Sequence, residues 1–286
     1  MNKLLAISGG IDSMTMLDLA SKTYERDELI PAVFDHKMRE SSSEDARFAA
    51  NSAITEYDLE PLLCFAKKQL KSEEEARESR YGFLFQAAYL ESAEIYTAHH
   101  LDDLVESVAI NLLRGTGPRG LAVLNRHGIR RPFLEGDFGK VFDRRDILKY
   151  AAKNDIHFRL DQSNASDEYL RNRVRKKTFD LPRATKMKLY RLWKKQKEIF
   201  GEIDDILEEI IPEDLTFERS WFDNLDEPVA LELLRAGLER AGTSATRPQL
   251  RDFLQAIKTY APGKFFNLPG DHLVKLNRDD FQLEVC

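Results

Sequence analysis

An α/β fold, a doubly wound parallel sheet with a small, mainly helical C-terminal domain, is what this sequence predicts from three observations. Short apolar runs at 4–7, 29–34, 62–65 and 94–98 have the length of strands. Amphipathic stretches that open on capping residues alternate with them, and such alternation builds a parallel sheet with right-handed crossovers. After about residue 216 the alternation stops, and two apolar helices precede three strand-like pieces. The expected domains are 1–181, a basic linker helix over 182–215, and 216–286.

The first strand runs into Ser8-Gly9-Gly10-Ile11-Asp12-Ser13, where paired glycines allow a sharp turn and close approach of a ligand. Asp12 or Ser13 is placed to cap the next helix. A helix start of this kind presents unpaired N–H groups to an anion, phosphate above all. The second strand ends in Asp35-His36-Lys37-Met38-Arg39, and Ser41 with Glu44 makes a capping box for a helix to about Tyr57. Ser72 with Glu75 opens another, which carries Arg77 and Arg80 to about Leu90. The fourth strand delivers His99-His100-Leu101-Asp102-Asp103 to a helix whose apolar residues recur at helical spacing. Arg114-Gly115-Thr116-Gly117-Pro118-Arg119-Gly120 is a flexible loop, and Asp143 caps a helix to about Asn154. A helix from Pro182 to about Ile210 is basic first and acidic later. Helices near 229–238 and 247–257 and strands near 264–268, 272–276 and 281–285 complete the chain. In such sheets ligands bind beyond the carboxyl ends of the strands, which gathers Ser8–Ser13, Asp35 and His99–Asp103 at one edge.

Length and 42% hydrophobic content suffice for a large core. No apolar run has the roughly 20 residues of a bilayer span, so a cytoplasmic protein without a membrane partner is expected. Two cysteines, Cys64 and Cys286, form neither a metal-like nor a redox-like pair. Net charge is −6, but the segment from Arg171 to Lys197 holds twelve basic residues against one acid, Asp180, and so carries +11. Within it Arg173, Arg175, Lys176, Lys177, Lys186, Lys194 and Lys195 are candidates to meet an RNA backbone. A solvated helix face is the plain alternative.

Asp103 and Glu106 lie three apart and share a helix face, where carboxylates could hold Mg²⁺. Acids complementing the helix dipole are the plain alternative. Arg77 and Arg80 sit among glutamates, where surface ion pairs are weak. Arg171 and Asn172 follow a turn-rich passage at 161–164.

Ser8-Gly9-Gly10-Ile11-Asp12-Ser13 resembles the pyrophosphate loop of the PP-loop ATP pyrophosphatases. With Asp35-His36-Lys37-Met38-Arg39, Ala76–Tyr81, His99–Glu106, Arg114–Leu121, Arg131-Pro132, 161–164 and Arg171-Asn172 in order, the first 180 or so residues resemble the tRNA(Ile)-lysidine synthetase family. The tail, with Leu268-Pro269-Gly270, is similar to that of its shorter members. The resemblance implies that ATP adenylates the wobble cytidine of a CAU-anticodon isoleucine tRNA and that free lysine displaces AMP to give lysidine. It implies ATP contacts at Ser8, Gly9, Gly10, Ile11, Asp12, Ser13, His99, Arg114 and Gly115. Catalytic weight falls on Asp35, Arg77, Asp103 and Arg171, and Mg²⁺ on Asp103. A homodimer stands as an open expectation. Lysine stands at Lys37 where the family usually has glycine, and Ser107 where it has threonine. Lysine resists positive φ, so the loop after the second strand is expected to differ. A tRNA thiolase of the same superfamily and a non-catalytic RNA-binding protein are the rival readings.

Overall fold

Apolar segments too short for helices lie side by side as the expected parallel sheet. Asn2–Ile7 (β1) is flanked by Leu29–Asp35 (β2) and Ala93–Tyr96 (β4), with Leu62–Phe65 (β3) and Ile129–Arg130 (β5) outside them. All four pairings in the order β3-β2-β1-β4-β5 are parallel. The computed structural model describes residues 1–37, 42–66, 70, 72–159, 170–269 and 272–283. It divides into two compact units, Met1–Gln196 and Lys197–Cys286.

Alternation along β1 sends Leu5 and Ile7 to one face and Leu4 to the other. The first face is covered by Ile11–Thr23 (α1), Ser42–Tyr57 (α2) and, after Leu101–Leu113 (α4) and Pro132–Glu135 (α5), by Arg144–Lys153 (α6). Met14, Leu17, Ala49 and Ile147 fill it. The second is covered by Glu73–Leu90 (α3) through Tyr81, Leu84 and Ala88. Helices on both faces make the sheet doubly wound, as the alternating segments imply. Ser72 accepts the Glu75 N–H at 3.1 Å, and Asp143 and Asp146 cap α6 reciprocally. At α1 the cap differs from expectation, for Gly10 takes that position and Ser13 Oγ donates to Gly10 O at 2.9 Å. Ser41 and the motif residues 38–39 lie outside the described residues.

The basic segment forms two helices, Leu170–Thr178 (α7) and Arg183–Ile210 (α8), and the division between units falls inside α8. In the second unit Thr216–Glu218 (β6), Arg219–Asn224 (α9), Glu227–Arg240 (α10) and Arg247–Thr259 (α11) precede Lys264–Leu268 (β7), His272–Leu276 (β8) and Asp280–Gln282 (β9). The strands form an antiparallel sheet in the order β6-β9-β8-β7. Its core centres on Phe217, Phe222, Phe253 and Phe281, with Phe217 and Phe281 stacked at 5.5 Å.

Candidate active site

The strand order reverses between β1 and β4, and polar residues collect at the carboxyl ends of these two strands. Ser8, Gly9 and Gly10 make the turn from β1 to α1. Gly9 has φ +79°, and a Cβ there would stand 3.1 Å from Asp45 O and 3.2 Å from Phe48 Cδ1. Gly9 is therefore demanded by backbone conformation and by α2, where the sequence suggested ligand approach. At Gly10 a Cβ would meet only Ser8 Oγ, at 3.7 Å. Ser13 Oγ accepts the Ser8 N–H at 3.1 Å, which ties the turn closed. With glycine as N-cap, no capping side chain occupies the first-turn N–H groups of α1.

His100 caps α4. Its Nδ1 accepts the Asp102 N–H at 3.2 Å, so the proton of the neutral ring lies on Nε2, 3.5 Å from Asp103 Oδ2 and 3.7 Å from Asp12 Oδ1. Asp103 Oδ2 also accepts the His100 N–H at 3.0 Å. Burial pushes the Asp103 carboxyl up, but His100, His99, that N–H and Arg171 outweigh it and hold the group down at about 2. His99 goes the other way, since burial, with Arg131, Arg80 and Arg171 nearby, lowers it to about 3 against the pull of Asp103. Its Nδ1 lies 2.9 Å from Thr97 Oγ1.

Asp102, 8% exposed, binds Lys186 Nζ through Oδ1 at 2.5 Å and accepts the Arg144 N–H through Oδ2 at 2.8 Å. The Arg144 guanidinium meets Asp12 of the glycine turn. Lys186 is only 3% exposed and also donates to Phe179 O. This corrects its assignment as an RNA contact, because a buried acid at the start of α4 claims its charge.

Glu106 likewise is no cation ligand. Its carboxylate is bound by Arg175 Nε at 2.9 Å and Arg171 Nε at 3.4 Å, which fastens α7 to α4. Arg175 is thus turned inward, while Arg173, Lys176, Lys177, Lys194 and Lys195 are exposed.

Asp35 is buried at the end of β2, accepting the Lys37 N–H at 2.9 Å and the Ser43 hydroxyl at 2.6 Å. Lys37 adopts φ +49°, so its backbone takes the left-handed conformation despite the side chain, and 38–41, the rest of that loop, lie outside the described residues. Arg77, Arg80 and Arg126 gather over the Tyr81 ring at 5.7, 5.3 and 4.1 Å. Arg114 ends α4 and Gly115 follows with φ +71°. The passage 161–164 and the Asn172 side chain lie outside the described residues. Arg144, the capping role of His100 and the partner role of Lys186 escaped the sequence reading. The capping box at Asp143 and Asp146 does place residue 144 at a helix start, but nothing local points it toward Asp12.

A glycine turn at the switch point of a parallel sheet, facing a His-His-x-Asp-Asp helix start, defines a nucleotide-binding α/β protein of the PP-loop class. Residues 2–181 match the family model described as a PP-loop domain, and the chain belongs to that family. It is similar to the tRNA(Ile)-lysidine synthase of Thermotoga maritima, 38% identical over 191 residues, covering 62% of this chain and 44% of that protein. The enzymes of that name from Enterococcus faecalis (31%, 62% and 40% coverage) and Bacillus subtilis (30%, 74% and 47%) are similar as well. The matches thus span less than half the length of these relatives. Among solved structures, a U34-tRNA thiolase from Methanococcus maripaludis with a [4Fe-4S] cluster superposes with TM-score 0.58 at 18% identity, covering 69% of this chain and 72% of that one. At that identity the likeness concerns the fold alone.

Proposed function

We propose that the chain is an ATP-dependent, carbon–nitrogen bond-forming ligase that converts the wobble cytidine of a CAU-anticodon isoleucine tRNA to lysidine. The observation that carries the reading is the joining of Asp12 in the glycine turn to the α4 acids through Arg144 and His100, in a chain whose curated relatives bear that enzyme name. The α1 N–H groups and Ser8 would hold the pyrophosphate end of ATP, with Arg114 and Gly115 as further contacts. Asp103 is held ionised, and its Oδ1 is left to a cation, which suits Mg²⁺ with its habit of taking one or two carboxylates plus phosphate oxygens. When bound, Mg²⁺ would offset charge on the phosphates. Asp35 and Asp103 are candidates to bind the ammonium of lysine, and Arg77 and Arg171 to contact the adenylate or tRNA phosphates. Arg173, Lys176, Lys177, Lys194 and Lys195 would supply RNA docking. A thiolase reading has no support in cysteine content, since the sequence holds two cysteines and no CxxC.

The test is incubation with ATP, Mg²⁺, radiolabelled lysine and the isoleucine tRNA, counting label in acid-precipitable RNA. ATP-dependent label that disappears with a wobble-substituted tRNA is expected. Pyrophosphate release without label would mean another nucleophile, and neither product would favour a binding protein.

A further inference from the structure

Lys186 has no part in the reaction assigned above, yet its ammonium is buried on a helix whose neighbouring lysines face water. It is 3% exposed, and Nζ is shared between Asp102 Oδ1 at 2.5 Å and Phe179 O at 3.1 Å. Taking an ammonium and a carboxylate out of water is costly even when they are paired, and an apolar pair of similar volume is often no less stable. Stability is therefore weak grounds for keeping the pair. The other oxygen of Asp102 supplies a better one. Oδ2 accepts the N–H of Arg144, the first residue of α6, at 2.8 Å, while the Leu101 N–H donates to Phe142 O at 2.9 Å. Two bonds running in opposite directions thus lock the starts of α4 and α6 together. From there the Arg144 guanidinium reaches Asp12 in the first turn of α1, each side chain being 33% exposed. His100, whose Nδ1 accepts the Asp102 N–H, places Nε2 3.7 Å from the same Asp12 oxygen. Arg144 and His100, which approach Asp12 from outside α1, are both attached to Asp102.

We propose that Lys186 is a positioning residue for the nucleotide, acting through the Asp102 carboxylate and Arg144 on Asp12. The proposal rests on the reading of the glycine turn as the ATP site. Paired with Lys186, Asp102 is satisfied and leaves the Arg144 guanidinium to Asp12. Without Lys186, a buried carboxylate that already holds the Arg144 N–H competes for the guanidinium of the same residue. Asp12 then carries an uncompensated charge in the turn whose N–H groups are to receive phosphate, and like charges repel there. Lys186 thereby belongs to the basic helix by sequence and to the nucleotide site by contact. Its removal should be felt by ATP and not by RNA.

The experiment titrates ATP with Mg²⁺ into the full chain by calorimetry, and titrates the isoleucine tRNA at several salt concentrations. Arg144→Met, at a half-buried position, should fold and raise the ATP dissociation constant about tenfold. Lys186→Met should raise it by a similar factor. Adding Asp102→Asn to Lys186→Met keeps an oxygen for the Arg144 N–H and removes the charge, and should return the constant to within about threefold of wild type. In the Arg144→Met background, Lys186→Met should change ATP affinity by less than about twofold, since its effect runs through Arg144. The salt slope of tRNA binding should keep its wild-type value in Lys186→Met, because Lys186 meets no phosphate. Unchanged ATP affinity in Lys186→Met, additive losses in the double variant, or a shallower salt slope would overturn the proposal. So would unchanged affinity in Arg144→Met, which decides the matter where Lys186→Met fails to fold. A wild type that binds the tRNA but no ATP would overturn the reading of the glycine turn, and this proposal with it.

Discussion

Acidification from about pH 8.5 to about 4.5 should destabilise the fold by about 2.7 kcal/mol through His99 alone. The ring stays neutral in the folded protein because burial and the charges of Arg131, Arg80 and Arg171 hold its pKa near 3, against 6.5 when unfolded. As pH falls below 6.5 the unfolded chain takes up a proton that the native ring refuses. The stability is therefore fully present above 6.5 and is lost progressively toward 3. At about pH 4.5 the unfolded state is favoured roughly 100-fold by this one site, which gives the figure above. Asp103 does not confuse the window, because its contribution is present above 3.8 and is lost as pH falls through about 2. Urea denaturation of the wild type and of His99→Asn at both pH values measures the difference. Asparagine keeps a polar atom near Nδ1 for Thr97 Oγ1 and removes the titration. The wild type should lose about 2.7 kcal/mol more than the variant over this interval. Equal losses would refute the view that these arginines and burial keep His99 neutral.

Lys186→Met leaves Asp102 buried without its cation and should cost about 3–5 kcal/mol in denaturant unfolding, with Asp102→Asn recovering part of it. An unchanged midpoint would show that the pair is dispensable. Gly9→Ala should cost about 1–2 kcal/mol from the left-handed backbone, with more from contact with Asp45 O and Phe48, whereas Gly10→Ala should be far milder. Equal effects at the two glycines would contradict this assignment. If Arg173, Lys176, Lys177, Lys194 and Lys195 all meet RNA phosphates, log affinity should fall with log salt at a slope of about −4. A slope near zero would clear the segment of docking.

Strands β1 to β4 could be read because each is a short apolar run bounded by turn residues, and the glycine turn because its composition has few other uses. Strand β5 has two residues and exists through pairing with Ile95 and Tyr96, so no local pattern announces it. Helix α7 is almost all basic and polar, and what holds it is Glu106, more than sixty positions away. Lys186 and Asp102 stand 84 apart in sequence, Arg144 and Asp102 stand 42 apart, and such pairings leave no periodic signal. Asp103 could be placed at a helix start from its neighbours. That His100 rather than an acid forms the cap there depended on the Nδ1 hydrogen bond.

The basic segment shows most clearly why a charge count is not a footprint. Four of its twelve cations are taken up by acids of the fold: Arg171 and Arg175 by Glu106, Lys186 by Asp102, and Arg183 by Asp143 and Asp146 at 2.7 and 2.6 Å. The acids they neutralise lie near the starts of α4 and α6, where the fold concentrates negative charge for helix capping and for chemistry. Burying those acids costs several kcal/mol each unless a cation accompanies them. Part of the positive excess is therefore the counter-charge of the site itself. Arg173, Lys176, Lys177, Lys188, Arg191, Lys194 and Lys195 stay exposed on the same two helices, so any polyanion docked there would bear on the elements that fix Asp102. Asp102 in turn sets the backbone of Arg144, whose guanidinium meets Asp12. Lys186 thereby ties the basic helix α8 to Asp102 and, through Arg144, to the glycine turn.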